Sequence, residues 1–256
     1  MSITIENGIY TDTRNVNIFD VDSLNRAHPR YYFDMVQEVA GSHAHHIGVS
    51  IPQLQKQNKT WVVTRTRMNI FAYASWPANL SFRTWPQIPW KLYFPRTCQG
   101  VDQNGHLLFE SLSQWVVVDL DSQRPVKPDL IAQLFGSSMQ DQIVDPDLGR
   151  RISFNGDIAY TSNPIVGYED IDLNRHVNNV AYVKWMLESL PYSFKDTHVA
   201  TEIDISFLAQ AFIGVEIEVN TAQAKQEGEN VSFLHEVVNR NSQTRLAVAK
   251  TIWKKG

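Results

Sequence analysis

Residues 170–185, DIDLNRHVNNVAYVKW, put a carboxylate, an amide and an imidazole at alternate positions, Asp172, Asn174 and His176, just ahead of an apolar run. In an extended segment successive side chains point to opposite sides, so these three would share one face and Leu173 and Arg175 the other. The apolar run reads as a helix, and a helix N-terminus offers unpaired N–H groups where an oxyanion could be stabilised. Such a set suits proton transfer beside a developing negative charge. On spacing alone a purely structural role is the stronger reading: Asp172 and Asn174 making local turn bonds, with His176 or Asn178 capping the helix.

Other chemistries are poorly supplied. The chain has no G-x-S-x-G elbow, no H-E-x-x-H helix, no P-loop and no G-x-G-x-x-G loop, which disfavours a serine hydrolase or a cofactor-dependent mechanism. His43, His45 and His46 cluster without an acidic or cysteine ligand within a few residues, so they read as a polar helix end and no metal is expected. Cys98 is the sole cysteine, which excludes an internal disulfide and a cysteine-based metal cluster, fits a reducing compartment and suggests a small core residue.

The elements that must position these residues come from a chain of 256 residues, room for one large domain or two small ones joined tightly. Strand alternation runs through 60–68, 114–120, 215–219, 231–238 and 246–253, with turn signals at Asn104-Gly105 and Asn155-Gly156. Val215, Ile217 and Val219 fall on one face and Glu216 and Glu218 on the other, as in a half-solvated antiparallel strand. Long helices are expected at 29–40, which starts on a proline, and at 177–190, whose only charges are Lys184 and Glu188. A helix so apolar must be wrapped on most sides.

At an offset of 149 residues, Leu24-Asn25-Arg26 matches Leu173-Asn174-Arg175, and Phe33 and Val36 then match Tyr182 and Trp185, which points to an internal duplication. Residues 121–151 hold three prolines, the apolar stretch DLIAQLF and the polar tract GSSMQDQ, and read as a crossover linker with one short helix. The layout expected is α+β, a double hotdog in which antiparallel sheet wraps two long helices, with residues 1–140 as the first unit and linker and 141–256 as the second.

Hydrophobic residues make up 43% and charged residues 20%, ordinary globular usage. No apolar run approaches the ~20 residues of a membrane span, and the start lacks the basic end and apolar stretch of a signal peptide, so a cytoplasmic protein with no membrane partner is expected. A net charge of −4 argues against a nucleic-acid partner. An acidic protein partner would need a local basic patch: Arg150 with Arg151, Arg175 with Lys184, or Lys254 with Lys255.

The pattern D-x-D-L-N-x-H-V-N-N-x-x-Y-x-x-W at 170–185, followed by ESLP at 188–191, resembles the acyl-ACP thioesterases of plants and bacteria. In the first half TWVVTRTRMNI, YASWPANLSFRTWP and SQWVVVDLDSQRPVKP resemble that family's first hotdog in the same order. The resemblance implies hydrolysis of the thioester of fatty acyl-ACP without a cofactor, with an acyl carrier protein as partner and Asp172, Asn174 and His176 as catalytic residues. Plant members add an acidic residue followed by cysteine on a later strand, positions held here by Gln210 and Ala211. Alanine cannot be a nucleophile, which leaves attack by water. Asp172 would then be the general base, His176 would hold or polarise water and carbonyl, Asn174 would orient them, and Gln210 would offer a neutral hydrogen bond.

By the same resemblance the first half lines the acyl tunnel, with Trp61, Trp76, Trp85 and Trp90 as nearby aromatics, and a start close to the first hotdog suits the bacterial branch. Two other readings are an acyl-CoA thioesterase and a catalytically weak acyl-binding hotdog protein; Gln210 keeps the latter open and the intact Asp172, Asn174 and His176 set argues against it. A homodimer is left open.

Overall fold

Alternating apolar and polar residues become antiparallel strands in both halves of the computed structural model, which describes residues 3–135, 139–140 and 150–256. Of the expected linker, residues 136–138 and 141–149 lie outside this set. The chain divides into two units, Met1–Thr64 with Met68–Asp145, and Arg65–Arg67 with Pro146–Gly256.

In the first unit, apart from Arg65–Arg67 of β3, the strands are β1 (Ile3–Glu6), β2 (Ile9–Val16), β3 (Lys59–Ile70), β4 (Ala78–Pro86), β5 (Phe94–Val101) and β6 (Leu107–Asp119), in the order β1-β2-β4-β5-β6-β3. The β1–β2, β2–β4, β4–β5 and β5–β6 pairs are antiparallel. Its long helix α1 (Pro29–His46) packs on β2, β4 and β5, and the short helices α2 (Ile51–Gln55) and α3 (Asp129–Phe135) follow. In the second unit β7 (Ile158–Ser162), β8 (His198–Phe207), β9 (Ile217–Glu227), β10 (Asn230–Asn239) and β11 (Thr244–Lys255) run β8-β11-β10-β9-β7, all pairs antiparallel. Against it lie α4 (Asn179–Glu188), which packs on β9 and β10, and α5 (Tyr192–Thr197), which packs on β8. Each unit is one antiparallel sheet on one principal helix, so the architecture is the α+β double hotdog.

Boundaries differ from the sequence expectation for local reasons. The first helix runs six residues further, through the three histidines, because the chain leaves it in a Schellman turn: Val49 N–H donates to Ala44 O (2.8 Å), Gly48 N–H to His45 O (3.2 Å), and Gly48 takes φ +82°. The second is shorter, because Asn178 closes its N-terminus by accepting from Val180 N–H and Pro191 follows soon after its end. Seven of its ten residues are buried, as a wrapped helix requires. Asn104-Gly105 does turn the chain from β5 into β6, with Asp102 Oδ1 accepting from Asn104 and His106 N–H, both at 2.8 Å. Asn155-Gly156 leads into β7 with no strand in the described residues 150–154 before it, and Val215 lies outside β9, where Ile217 and Val219 are buried.

Candidate active site

The loop ahead of α4 is a folded turn, not an extended segment, which corrects the alternation argument. A short 3-10 turn, Tyr168–Asp170, is closed by Asp170 Oδ2 accepting from Gly167 N–H (2.8 Å). Ile171 and Val177 then form an antiparallel bridge, and Asp172 N–H donates to His176 O (2.8 Å). Inside it Asp172 Oδ1 accepts from Asn174 N–H (2.8 Å) and from His176 N–H (3.2 Å), an Asx turn that needs Arg175 at φ +63°. Even so, Asp172, Asn174 and His176 are half-buried, whereas Leu173 (76% exposed) and Arg175 face outward. Asn178, not His176, caps the helix, its Oδ1 accepting from Val180 N–H at 2.9 Å.

A second loop, between β8 and β9, is fastened to this turn through Ala211. Val177 N–H donates to Ala211 O (2.9 Å), and Ala211 N–H in turn donates to the Tyr182 hydroxyl on α4. Ala211 is 1% exposed and Gln210 beside it is exposed, and both lie in this loop, not on the expected strand. The next residue, Phe212, sets its ring against His176 at 4.8 Å between centroids and 63° between planes. Burial lowers the His176 pKa below its ordinary value, and the Asp172 charge opposes that only in part, so the imidazole is neutral near pH 7. Phe212 carried no signal in the sequence, since nothing local ties it to residue 176.

The amides of Asp172, Asn174, Arg175, His176, Val177, Asn178, Val180 and Ala181 are all engaged within the turn, the cap and the strap. Of the amides from Asp172 to Ala181 that leaves Leu173 and Asn179, and the Asn179 N–H is the one at the helix start, where an oxyanion donor was expected.

The first unit repeats this construction, at an offset of 150 residues, not 149. Asp22 Oδ1 accepts from Leu24 and Arg26 N–H, both at 2.9 Å, Asp22 N–H donates to Arg26 O (2.8 Å), Asn25 has φ +57°, and Val21 bridges Ala27. Ala27 N–H donates to Ala74 O and Ala74 N–H to the Tyr32 hydroxyl, both at 2.8 Å, so Tyr32, not Phe33, corresponds to Tyr182. Among the positions that differ, Leu24 stands where Asn174 does, and Arg26 where His176 does. Arg26 Nε closes on Asp22 Oδ2 at 2.8 Å and fills the carboxylate, whereas no cation among the described residues closes on Asp172 Oδ2 in this way.

The tryptophans are not gathered. Trp61 Nε1 donates to Val49 O (2.7 Å) beyond the C-terminal end of α1, with its ring edge-on to Phe94 at 5.0 Å. Asn25, just before α1, clamps the Trp76 backbone with two 2.9 Å bonds, so the length of α1, 18 residues or ~27 Å, separates the two. Trp85 is half-buried on β4, and Trp90 is exposed with Lys91 Nζ over its ring at 4.4 Å. Among the histidines, His43 is fully buried, so the trio is not a simple polar helix end. No group of three metal-ligating side chains occurs among the described residues, nor any helix there long and apolar enough to cross a membrane.

Fold and loops together define a double-hotdog protein whose second unit carries the candidate site. The chain belongs to the acyl-ACP thioesterase family: the family's N-terminal domain model matches residues 8–134 and its C-terminal domain model residues 159–255. Relatives include the chloroplastic oleoyl-acyl carrier protein thioesterase of Coriandrum sativum, 25% identical over 90% of this chain and 69% of its own, and the chloroplastic oleoyl-acyl carrier protein thioesterase 1 of Arabidopsis thaliana, 27% identical over 80% and 61%. The chain thus spans about two thirds or less of the length of these plant relatives. The same fold occurs in the 12:0-ACP thioesterase from Umbellularia californica (TM-score 0.88, 19% identity, 97% of this chain and 95% of that one). It occurs also in a putative oleoyl thioesterase from Lactobacillus plantarum (TM-score 0.87, 21% identity, 98% and 99%).

Proposed function

We propose that this protein hydrolyses the thioester of fatty acyl-ACP, releasing the free fatty acid and the carrier protein with its thiol, by attack of water and without a cofactor. The observation that carries this is the asymmetry between the two duplicated turns. Both keep the aspartate that builds the turn, but only the second pairs it with a neutral, half-buried histidine and an amide in place of arginine and leucine.

In this reading Asp172 uses Oδ1 to hold the turn and Oδ2 to receive the proton of the attacking water. Neutral His176 accepts a hydrogen bond from that water or lends its N–H to the carbonyl, and Asn174 with the Asn179 amide faces the developing oxyanion. The C–S bond then breaks and the proton held by the base returns to the departing thiolate. Gln210 contributes only a neutral hydrogen bond from the strapped loop. Residues 141–256 carry the catalysis, and residues 1–140 house the acyl chain. The setting is cytoplasmic, with an acyl carrier protein docking by way of exposed basic side chains.

Comparing release from acyl-ACP and acyl-CoA over several chain lengths tests the reading. Turnover on acyl-ACP well above that on acyl-CoA is expected. Equal or higher turnover on acyl-CoA would replace the carrier-protein substrate, and binding without turnover would make this an acyl-binding protein.

A further inference from the structure

The core of the first unit contains a positive charge that pairs with no carboxylate among the described residues. Arg96, on β5, is 7% exposed. Its Nη1 donates to Thr84 Oγ1 on β4 (3.2 Å) and to His43 Nδ1 on α1 (3.2 Å), and no carboxylate pairs with it among the described residues. The buried carboxylate of Asp12, on β2, is bonded through Oδ2 to Arg14, and its Oδ1 is buried without a hydrogen-bond partner beside Tyr10 and not beside Arg96. A buried guanidinium without a counter-charge is strongly destabilising, so its retention calls for an acceptor.

Thr84 Oγ1 donates to Thr97 O (2.8 Å), but the His43 imidazole and the Tyr10 hydroxyl have no acceptor among the described residues. A guanidinium can only donate, so His43 Nδ1 accepts from it, and the proton of the neutral ring sits on Nε2. Burial first, then the charges of Arg96 and His46, push the His43 pKa down to about 3, which keeps the ring neutral. Its Nε2 is buried and has no hydrogen-bond partner. Tyr10 stacks on the His43 ring at 5.5 Å and 23°, and its buried hydroxyl, with Ser42 as neighbour, makes no hydrogen bond of good geometry. Tyr10 and Thr84 are direct cross-strand partners, so all four side chains belong to one patch of sheet and the helix above it. A buried water could accept from the imidazole, but it would leave the charge standing.

We propose that Arg96, His43 and Tyr10 form a buried subsite that receives a carboxylate at the far end of the acyl chain, making ω-carboxylated acyl chains favoured substrates. This rests on the reading that the first unit houses the acyl chain. The methylene chain would lie along apolar core, and the terminal oxygens would take the guanidinium, the Nε2–H and the phenol hydroxyl as donors.

Two measurements on the full chain decide it. The first is the kcat/KM ratio of an ω-carboxylated acyl-ACP to the unsubstituted acyl-ACP of equal length, in wild type and in Arg96→Met. Charge-assisted hydrogen bonds support a ratio about 10- to 100-fold higher in wild type than in the variant, and Arg96→Met should also melt higher, having lost an unpaired buried charge. The second is the rise in Tm given by a long-chain carboxylate and by the matching neutral primary amide. The carboxylate should stabilise wild type more than the amide does, and Arg96→Met should not distinguish them. Equal kcat/KM ratios in the two proteins, or equal Tm rises from both compounds in wild type, overturn the subsite. Absence of turnover on both acyl-ACPs counts against the hydrolase reading instead, and the Tm comparison then decides the subsite alone.

Discussion

Asp22 and Asp172 hold the same turn 150 residues apart, each with Oδ1 accepting the amides two and four residues further on. Since Asp22 does this with its other oxygen locked by Arg26, turn-building alone explains an aspartate at both places. What turn-building does not explain is an aspartate whose second oxygen meets no cation among the described residues and which stands beside a neutral histidine.

Substituting asparagine separates the two roles, because its Oδ1 can still accept both amides while the charge is lost. Asp172→Asn should fold normally and lose about 10²–10⁴-fold in turnover, the usual range for a general acid or base, and His176→Ala should lose a similar amount. Asp22→Asn should leave turnover near wild type. Normal turnover in folded Asp172→Asn would reduce Asp172 to a structural residue.

The pH profile should carry the mark of Phe212. With the His176 pKa lowered by burial, the neutral imidazole persists below the ordinary histidine range, and the acid limb of kcat/KM should fall at a pH below ~6.5. Phe212→Ala wets the ring and should move that limb upward toward ~6.5. An acid limb unmoved by Phe212→Ala would mean that another group sets it.

The sequence showed the site loop as a string of residue types but not its shape. Alternation put Asp172, Asn174 and His176 on one side for the wrong reason: their shared orientation comes from an Asx turn that Arg175 completes in the left-handed region. The identity Leu-Asn-Arg suggested the duplication yet was one residue out of register, because what the two loops share is a set of backbone bonds, and those tolerate different side chains. β5 escaped notice because its residues are buried nearly without alternation, leaving no period of two to read. The Ala211 strap and the Phe212 cover are tertiary contacts, invisible to any local pattern.

His235 should resist protonation and mark one tautomer. Ser189 Oγ gives its only proton to Met186 O, so Thr221 must donate to Ser189, and His235 Nδ1–H must donate to Thr221 Oγ1 at 2.8 Å. At the other end Trp253 Nε1–H donates to Thr251 Oγ1, which donates to His235 Nε2 at 2.9 Å. Full burial pushes the pKa down to about 3, as for His43. Between pH ~6.5 and about 3 the unfolded chain then binds more protons than the folded one, so stability should fall as pH drops through that window, by about 1.4 kcal/mol per pH unit for each such histidine. Nitrogen-15 NMR should show the Nδ1–H form of His235 unchanged from pH 7 to 4; an imidazolium signal near pH 6 would refute it.

Cys98 should be irrelevant to turnover. It is 1% exposed in the middle of β5, and burial pushes its thiol up to about 12, so almost no thiolate exists at neutral pH. Thiol-blocking reagents should leave activity intact in the folded enzyme. Inactivation that tracks Cys98 modification and disappears in Cys98→Ser would bring back a thiol mechanism.

Recognition of the carrier should depend on salt. Acyl carrier proteins are acidic in this family's reaction and this chain is itself at −4, so a productive encounter needs a local basic surface near the site. Arg175 is the best placed: the turn that holds Asn174 and His176 forces its backbone left-handed and turns its side chain outward. Lys184 is half-buried on α4 and ranks lower, while Arg150 and Arg151 are exposed just before β7. Rim charges act on association and are screened over a Debye length of ~8 Å at physiological ionic strength. Raising salt should therefore lower kcat/KM for acyl-ACP more than for an uncharged short acyl thioester. Arg175→Glu should lower the acyl-ACP value while sparing the short substrate, with kcat little changed, because the side chain points away from the half-buried group. Equal salt responses for the two substrates would show that the carrier is not recognised by charge, and would favour acyl-CoA as the physiological thioester.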